Sequence, residues 1–173
     1  MILKNMILKI LVYRMRVFID TEIWIFSKKK PKSEKFSKES DFQNANKFHE
    51  KAKKFLKNQI SQNEIFMTNH QLCEIFHILG FRGMRIPLDN VQRYCFQLLT
   101  SEFIIWFENT IKHVNKALDM SLQSGIHIWD YLCVLPIYKE IDVMYSCDVH
   151  FKHESFQSLG PKIENPINIW ITL

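Results

Sequence analysis

Apolar residues along this chain come in short, unbroken runs set between longer stretches with a helical repeat. Residues 16–20 (RVFID) are a β-branched and aromatic run that ends in Asp20, the pattern of a buried strand with a carboxylate at its C-terminal end. A short helix over 21–26 is expected to follow. Asp41 or Asn44 opens a helix to about residue 58, with Ala45, Phe48, Ala52, Phe55 and Leu56 on one face. Residues 65–68 (IFMT) form a second strand. Asn69 is the expected cap of a helix that turns Leu72, Cys73, Ile75, Phe76 and Leu79 inward and stops at Gly80. Pro87 sits in the first turn of a helix to residue 99, and residues 103–107 (FIIWF) form a third strand. Thr110 begins a helix closed by Gly125, and Asp130 opens the next (DYLCVLPIY). Residues 143–146 are a fourth strand. Residues 163–170 read as an edge strand, the one place in a sheet where Pro166 is tolerated.

Short apolar strands joined by helices need both sheet faces covered. The expected fold is α/β, a three-layer α/β/α sandwich around a central parallel sheet of four to five strands. Ligands of such sheets gather at the C-terminal strand ends.

The chain has 173 residues, 47% hydrophobic and 24% charged, which fits one ordinary globular domain and excludes general disorder. The domain is expected over 15–173, because RVFID follows Met15 directly. Residues 1–14 are either an upstream start-site extension or a short amphipathic helix with Leu3, Ile7 and Ile10 on one face. Their apolar run is broken by Lys4, Lys9 and Arg14 and is too short to span a bilayer. No membrane segment and no secretory signal are read, so the expected setting is cytoplasmic. The four cysteines (Cys73, Cys95, Cys133, Cys147) contain no CxxC pair and are expected free and mostly buried. Cys147, His150 and His153 have metal-like spacing but lack the second ligand pair of a zinc site.

Net charge is +5. Between Lys28 and Lys57 eleven lysines face four acids, an excess larger than that of the whole chain. The lysine-rich loop 27–40 lies within this segment. It is either a phosphate-attracting flap near the cleft mouth or a solvated surface.

The strand-end rule selects four acids. Asp20 ends the first strand, Glu74 lies one turn into the helix after the second, Asp130 starts a helix, and Asp148 follows the fourth strand. One such acid alone is most simply a helix cap or turn residue. Four in one cleft repel one another and call for divalent cations, and an all-oxygen set favours Mg²⁺ or Mn²⁺.

These residues carry a resemblance. MRVFIDTEIW, NHQLCEIFHIL, SGIHIWDYLCVLP and YSCDVHF, in that order, are similar to the motifs of PIN domains, the family of the VapC-type ribonuclease toxins. The resemblance covers about residues 15–170. It implies a PIN-like fold and an Mg²⁺- or Mn²⁺-dependent endoribonuclease, with Asp20, Glu74, Asp130 and Asp148 as catalytic and metal residues and Thr21 and Ser146 in support. It also implies a homodimer and a small antitoxin that wraps the helices and blocks the cleft. The sequence departs from the family at Glu22, where a small polar residue is commoner, and at His150, where an acid is commoner. The lysine-rich connection is also longer.

Lys28, Lys29, Lys30, Arg82 and Arg85 are the candidate RNA contacts. Trp24, Phe26 and Trp106 read as core or dimer-interface residues, and His127 as structural. A DEDD-type exonuclease would need a His with Asp five positions on, and none is present. A HAD-type phosphatase would need Asp where Glu22 stands. A PIN-fold protein that binds RNA or a partner without cleaving it, and a housekeeping RNA-processing nuclease, remain the alternatives.

Overall fold

A computed structural model describes residues 14–172. The expectations for residues 1–13, including the helical face of Leu3, Ile7 and Ile10, lie outside the described residues. Among the described residues, five strands are joined by seven helices, mostly in pairs: β1 (Arg16–Ile19), α1 (Thr21–Lys28), α2 (Glu39–Gln62), β2 (Glu64–Thr68), α3 (Asn69–Phe81), α4 (Leu88–Leu99), β3 (Ile104–Phe107), α5 (Ile111–Ser124), α6 (Ile128–Val134), β4 (Val143–Tyr145), α7 (Glu154–Gln157) and β5 (Lys162–Glu164). Single 3₁₀ turns lie at Ser33–Lys35 and Val149–Lys152.

The sheet order is β3-β2-β1-β4-β5, and every pair is parallel. Alternation along each strand feeds two cores. In β1, Val17 and Ile19 join one cluster, with Ile23, Trp24, Ile75 and Leu79 from α1 and α3. Phe18 points the other way, into Tyr131, Phe151 and Phe156 from the α6–α7 side. A strand buried on both faces reads as a continuous apolar run, which is why RVFI and IFM carry no polar alternation. The fold is thus the expected α/β/α sandwich.

Chain progression runs from β1 outward to β2 and β3, then returns to place β4 on the other side of β1. The direction of winding therefore reverses between β1 and β4. That switch point leaves a crevice at the strand C-termini, where neither connection can cover the sheet. Asp20 and Asp148 follow these two strands.

Several local expectations change. The cap of α3 is Thr68, whose hydroxyl accepts from Gln71 N–H at 3.1 Å, and Asn69 is the first helical residue. Cys73 is exposed rather than inward, while Cys95, Cys133 and Cys147 are buried. Asp130 lies within the first turn of α6, and His127 is its cap residue. Helix α3 runs one residue past Gly80, whose added Cβ would stand 2.6 Å from Leu88 Cδ2 where α4 approaches. Helices α1 and α2 extend into the lysine-rich loop from both sides. Strand β5 ends before Pro166. Gly125 does close α5, at φ 74°, a conformation that suits a residue without a Cβ.

Candidate active site

Asp20 turns the chain from β1 into α1. Its N–H bonds Tyr145 O on β4 at 2.9 Å, and its Oδ1 accepts from Thr21 N–H at 2.8 Å. Two buried donors hold the preceding carbonyl: Gln71 Nε2 at 2.7 Å and Trp24 Nε1 at 2.9 Å both bond Ile19 O. Gln71 is not legible as a site residue from sequence, because a glutamine in a first helical turn looks like surface.

Ser146 joins the two switch-point acids. Its buried hydroxyl donates to Asp20 Oδ2 and accepts from Asp148 N–H at 3.0 Å. Asp148 in turn caps the 3₁₀ turn, accepting from His150 N–H at 2.9 Å. From the other side, Thr21 Oγ1 donates to Glu74 Oε2 at 2.6 Å, and Cys133 Sγ donates to the same oxygen at 3.6 Å. Helix α6 brings Asp130 in, and its Oδ2 lies 3.0 Å from His150 Nδ1, which is 3.4 Å from Asp148 Oδ2.

The four acids selected from the sequence thus meet through short links, and two further side chains join them. Glu22, in the first turn of α1, interacts electrostatically with Asp20 and adds a fifth carboxyl. His150 closes the other end. Both positions stand out in the sequence as departures from the motifs, which is the one available sign that they face the cleft.

Crowding and burial set the charge state. Burial pushes Asp20 up to about 8; the Ser146 hydroxyl opposes this, and the Asp130 and Glu74 charges add to it. Burial likewise pushes Asp130 up to about 8, reinforced by Asp148, Glu22 and Glu74. Glu22 is held well above the usual carboxylate range by burial and by the charges of Asp20 and Glu74. Such a set takes up either protons or cations. One ligand atom each from Asp130, Asp148 and His150 lie within 4.8 Å of one another, which fits a single divalent ion.

The zinc spacing dissolves in the structure. Cys147 is fully buried, with its thiol pushed up by burial, and His153 Nδ1 bonds Ser155 Oγ at 2.9 Å instead of turning to the cleft. His127 is exposed, its ring 5.8 Å from that of His150. Trp24 and Phe26 pack in or against the core, as does the half-buried Trp106. At the rim, the exposed Trp129, next to Asp130, stacks on His70 with centroids 5.0 Å apart.

The basic candidates stand apart from the acids. Helices α1 and α3 start at the strand C-termini and run away from them, so Lys28, Lys29 and Arg82 lie at their far ends. Lys29 Nζ bonds Ile78 O and Arg82 O, both at 2.7 Å, and so closes the C-terminus of α3. Lys28 Nζ lies 4.2 Å over the Tyr94 ring. Arg82 Nε donates to His77 Nε2 at 3.2 Å. Lys30 is exposed. Arg85 shares an open depression with Lys32 and Lys35.

No family model and no curated protein matches the chain. Among solved structures, VapC20 of Mycobacterium tuberculosis, a sarcin–ricin-loop-cleaving toxin, is similar with a TM-score of 0.57 at 15% identity. The match covers 79% of this chain and 92% of that one. At that identity the likeness is one of architecture, and it identifies the parallel sandwich as PIN-like.

Proposed function

We propose that this chain is a divalent-metal-dependent endoribonuclease, the toxin of a VapBC-type toxin–antitoxin pair. The observation that carries the reading is the convergence of Asp20, Glu74, Asp130 and Asp148 at the switch point of a fold shared with an RNA-cleaving toxin. Asp20, Asp130 and Asp148 would hold the cations, with Glu74 beside them. Mg²⁺ or Mn²⁺ bound there would supply water activation and neutralise charge building on a phosphodiester. Ser146 fixes the separation of Asp20 and Asp148, and Thr21 fixes the rotamer of Glu74. Trp129 offers an RNA base an exposed aromatic face beside the acids.

A protein partner fits the exposed apolar residues of two helices, Leu88, Phe96 and Leu99 on α4 and Ile111, Leu118 and Leu122 on α5. An antitoxin and a second copy of the chain are the proposed occupants. Among the described residues no helix is long and apolar enough to cross a membrane.

Purified protein should cleave RNA when given Mn²⁺ or Mg²⁺ and stop when EDTA is added. Asp20→Asn should reduce cleavage to background while the circular dichroism spectrum stays unchanged. Equal residual cleavage by wild type and Asp20→Asn would mark the signal as contamination and sink the enzyme assignment.

A further inference from the structure

We propose that His150 supplies a nitrogen ligand to the cation site, and that this makes the site select first-row transition ions of the Mn²⁺ class over Mg²⁺. The inference rests on the metal-dependent reading above and departs from the all-oxygen set expected from the sequence.

Position comes first. His150 is the second residue of the 3₁₀ turn that Asp148 caps, and its own N–H is tied to Asp148 Oδ1 at 2.9 Å. The next residue, Phe151, is fully buried and stacks between Phe18 and Phe156, with centroid distances of 6.2 and 4.5 Å. The turn is therefore anchored on both sides, and the imidazole faces the carboxylates without a loop having to order.

Geometry comes second. Nδ1 stands 3.0 Å from Asp130 Oδ2 and 3.4 Å from Asp148 Oδ2. Two ligands at right angles on an ion with bonds of about 2.1 Å stand about 3.0 Å apart. The nitrogen thus stands from each carboxylate oxygen about as far as neighbouring ligands of one ion do, and one ligand atom from each of the three residues lies within 4.8 Å of the others. The 3.0 Å contact is within hydrogen-bond distance, and the same nitrogen faces a second carboxylate on another element, so a cation that replaces the shared proton would meet both.

Chemistry decides the ion. Mg²⁺ takes oxygen ligands and sheds water reluctantly, whereas imidazole nitrogen is accepted more readily by transition ions. Replacing one oxygen by nitrogen therefore lowers the relative affinity for Mg²⁺.

Pulsed electron paramagnetic resonance of Mn²⁺ bound to the EDTA-stripped, full-length protein reads nitrogen ligation directly. Wild type should show ¹⁴N modulation that is absent in both His150→Gln and His150→Asp. In competition titrations, His150→Gln should weaken Mn²⁺ binding by roughly tenfold and Mg²⁺ binding less, and His150→Asp should shift the preference toward Mg²⁺. Mn²⁺ bound to wild type without ¹⁴N modulation would overturn the assignment even if RNA is cleaved. So would modulation that survives in His150→Gln, with His127 then the source. If wild type binds neither ion, or cleaves RNA equally well in EDTA, the metal-dependent function fails together with the ligand assignment.

Discussion

Ser146 places one hydroxyl between two carboxylates that repel each other. It donates to Asp20 and accepts from the Asp148 amide, so both of its roles are used inside a fully buried site. Ser146→Ala leaves a buried amide and a buried carboxylate without that partner. Each orphaned group costs about 1–3 kcal/mol, so urea denaturation should show a destabilisation of this order. No change in stability would mean that the link contributes nothing to the fold. The acids also predict a pH response. Asp20 and Asp130 are raised from 3.8 to about 8 in the folded protein, so across this window the native state binds more protons than the unfolded chain. Their contribution to stability is complete below about pH 3.8 and is lost as pH rises through about 8. In EDTA the melting temperature should therefore fall between about pH 4 and 8 and level off above that. Asp20→Asn should flatten that fall, because asparagine keeps the helix-capping acceptor without the charge. Mn²⁺ or Mg²⁺ should restore stability most at the alkaline end, where protons no longer compete. A fall of equal slope in wild type and Asp20→Asn would assign the response to other groups.

Elements are legible in the sequence where one physical signal is strong. The runs RVFID and IFMT mark β1 and β2 because their central positions, buried on both sheet faces, are all apolar. Thr110 and Gly125 frame α5 because a capping hydroxyl and a left-handed residue leave local signatures. The signals fail where two neighbours could serve equally. Thr68 and Asn69 are both good caps, but Thr68 is the last residue of β2, and sheet pairing with Phe107 fixes its extended backbone. That pairing is set by residues distant in sequence. Cys73 falls on the expected inner face of α3, yet the helix turns Gln71, Ile75 and Leu79 inward, because Gln71 must reach Ile19 O. Denaturation can check the cap. Thr68→Ala should cost about 1 kcal/mol, and Asn69→Ala less, since the Asn69 side chain serves no α3 amide beyond its neighbour's. The reverse order would mean that the Asn69 carboxamide, through His70 N–H and the two Asn109 amides 3.4 Å away, outweighs the Thr68 cap.

At the scale of the molecule, the strand order decides which acids meet. Sequence order alone gives Asp20 and Asp148 a separation of most of the domain, and the reversal between β1 and β4 makes them neighbours. The strand-end rule captures this, but it cannot place the lysines, whose positions depend on where each helix ends. Lys29 is the clearest case. In the sequence it is one cation of a flap, yet its ammonium holds two carbonyls at the end of α3, a favourable partner for the negative end of a helix dipole. Lys32, Lys35 and Arg85 instead edge an open depression and are exposed. Two kinds of substitution separate these roles. Binding of single-stranded RNA to the Asp20→Asn protein can be followed across a salt series in EDTA, so that no cleavage intervenes. Substituting Lys32, Lys35 and Arg85 with Gln should reduce the dependence on salt, by roughly 0.7 in slope for each phosphate no longer neutralised, and leave the melting temperature nearly unchanged. Lys29→Met should do the opposite, lowering the melting temperature and leaving the slope as it was. If the triple variant keeps the full slope, the RNA path does not cross that depression, and the basic excess between Lys28 and Lys57 is a solvated surface.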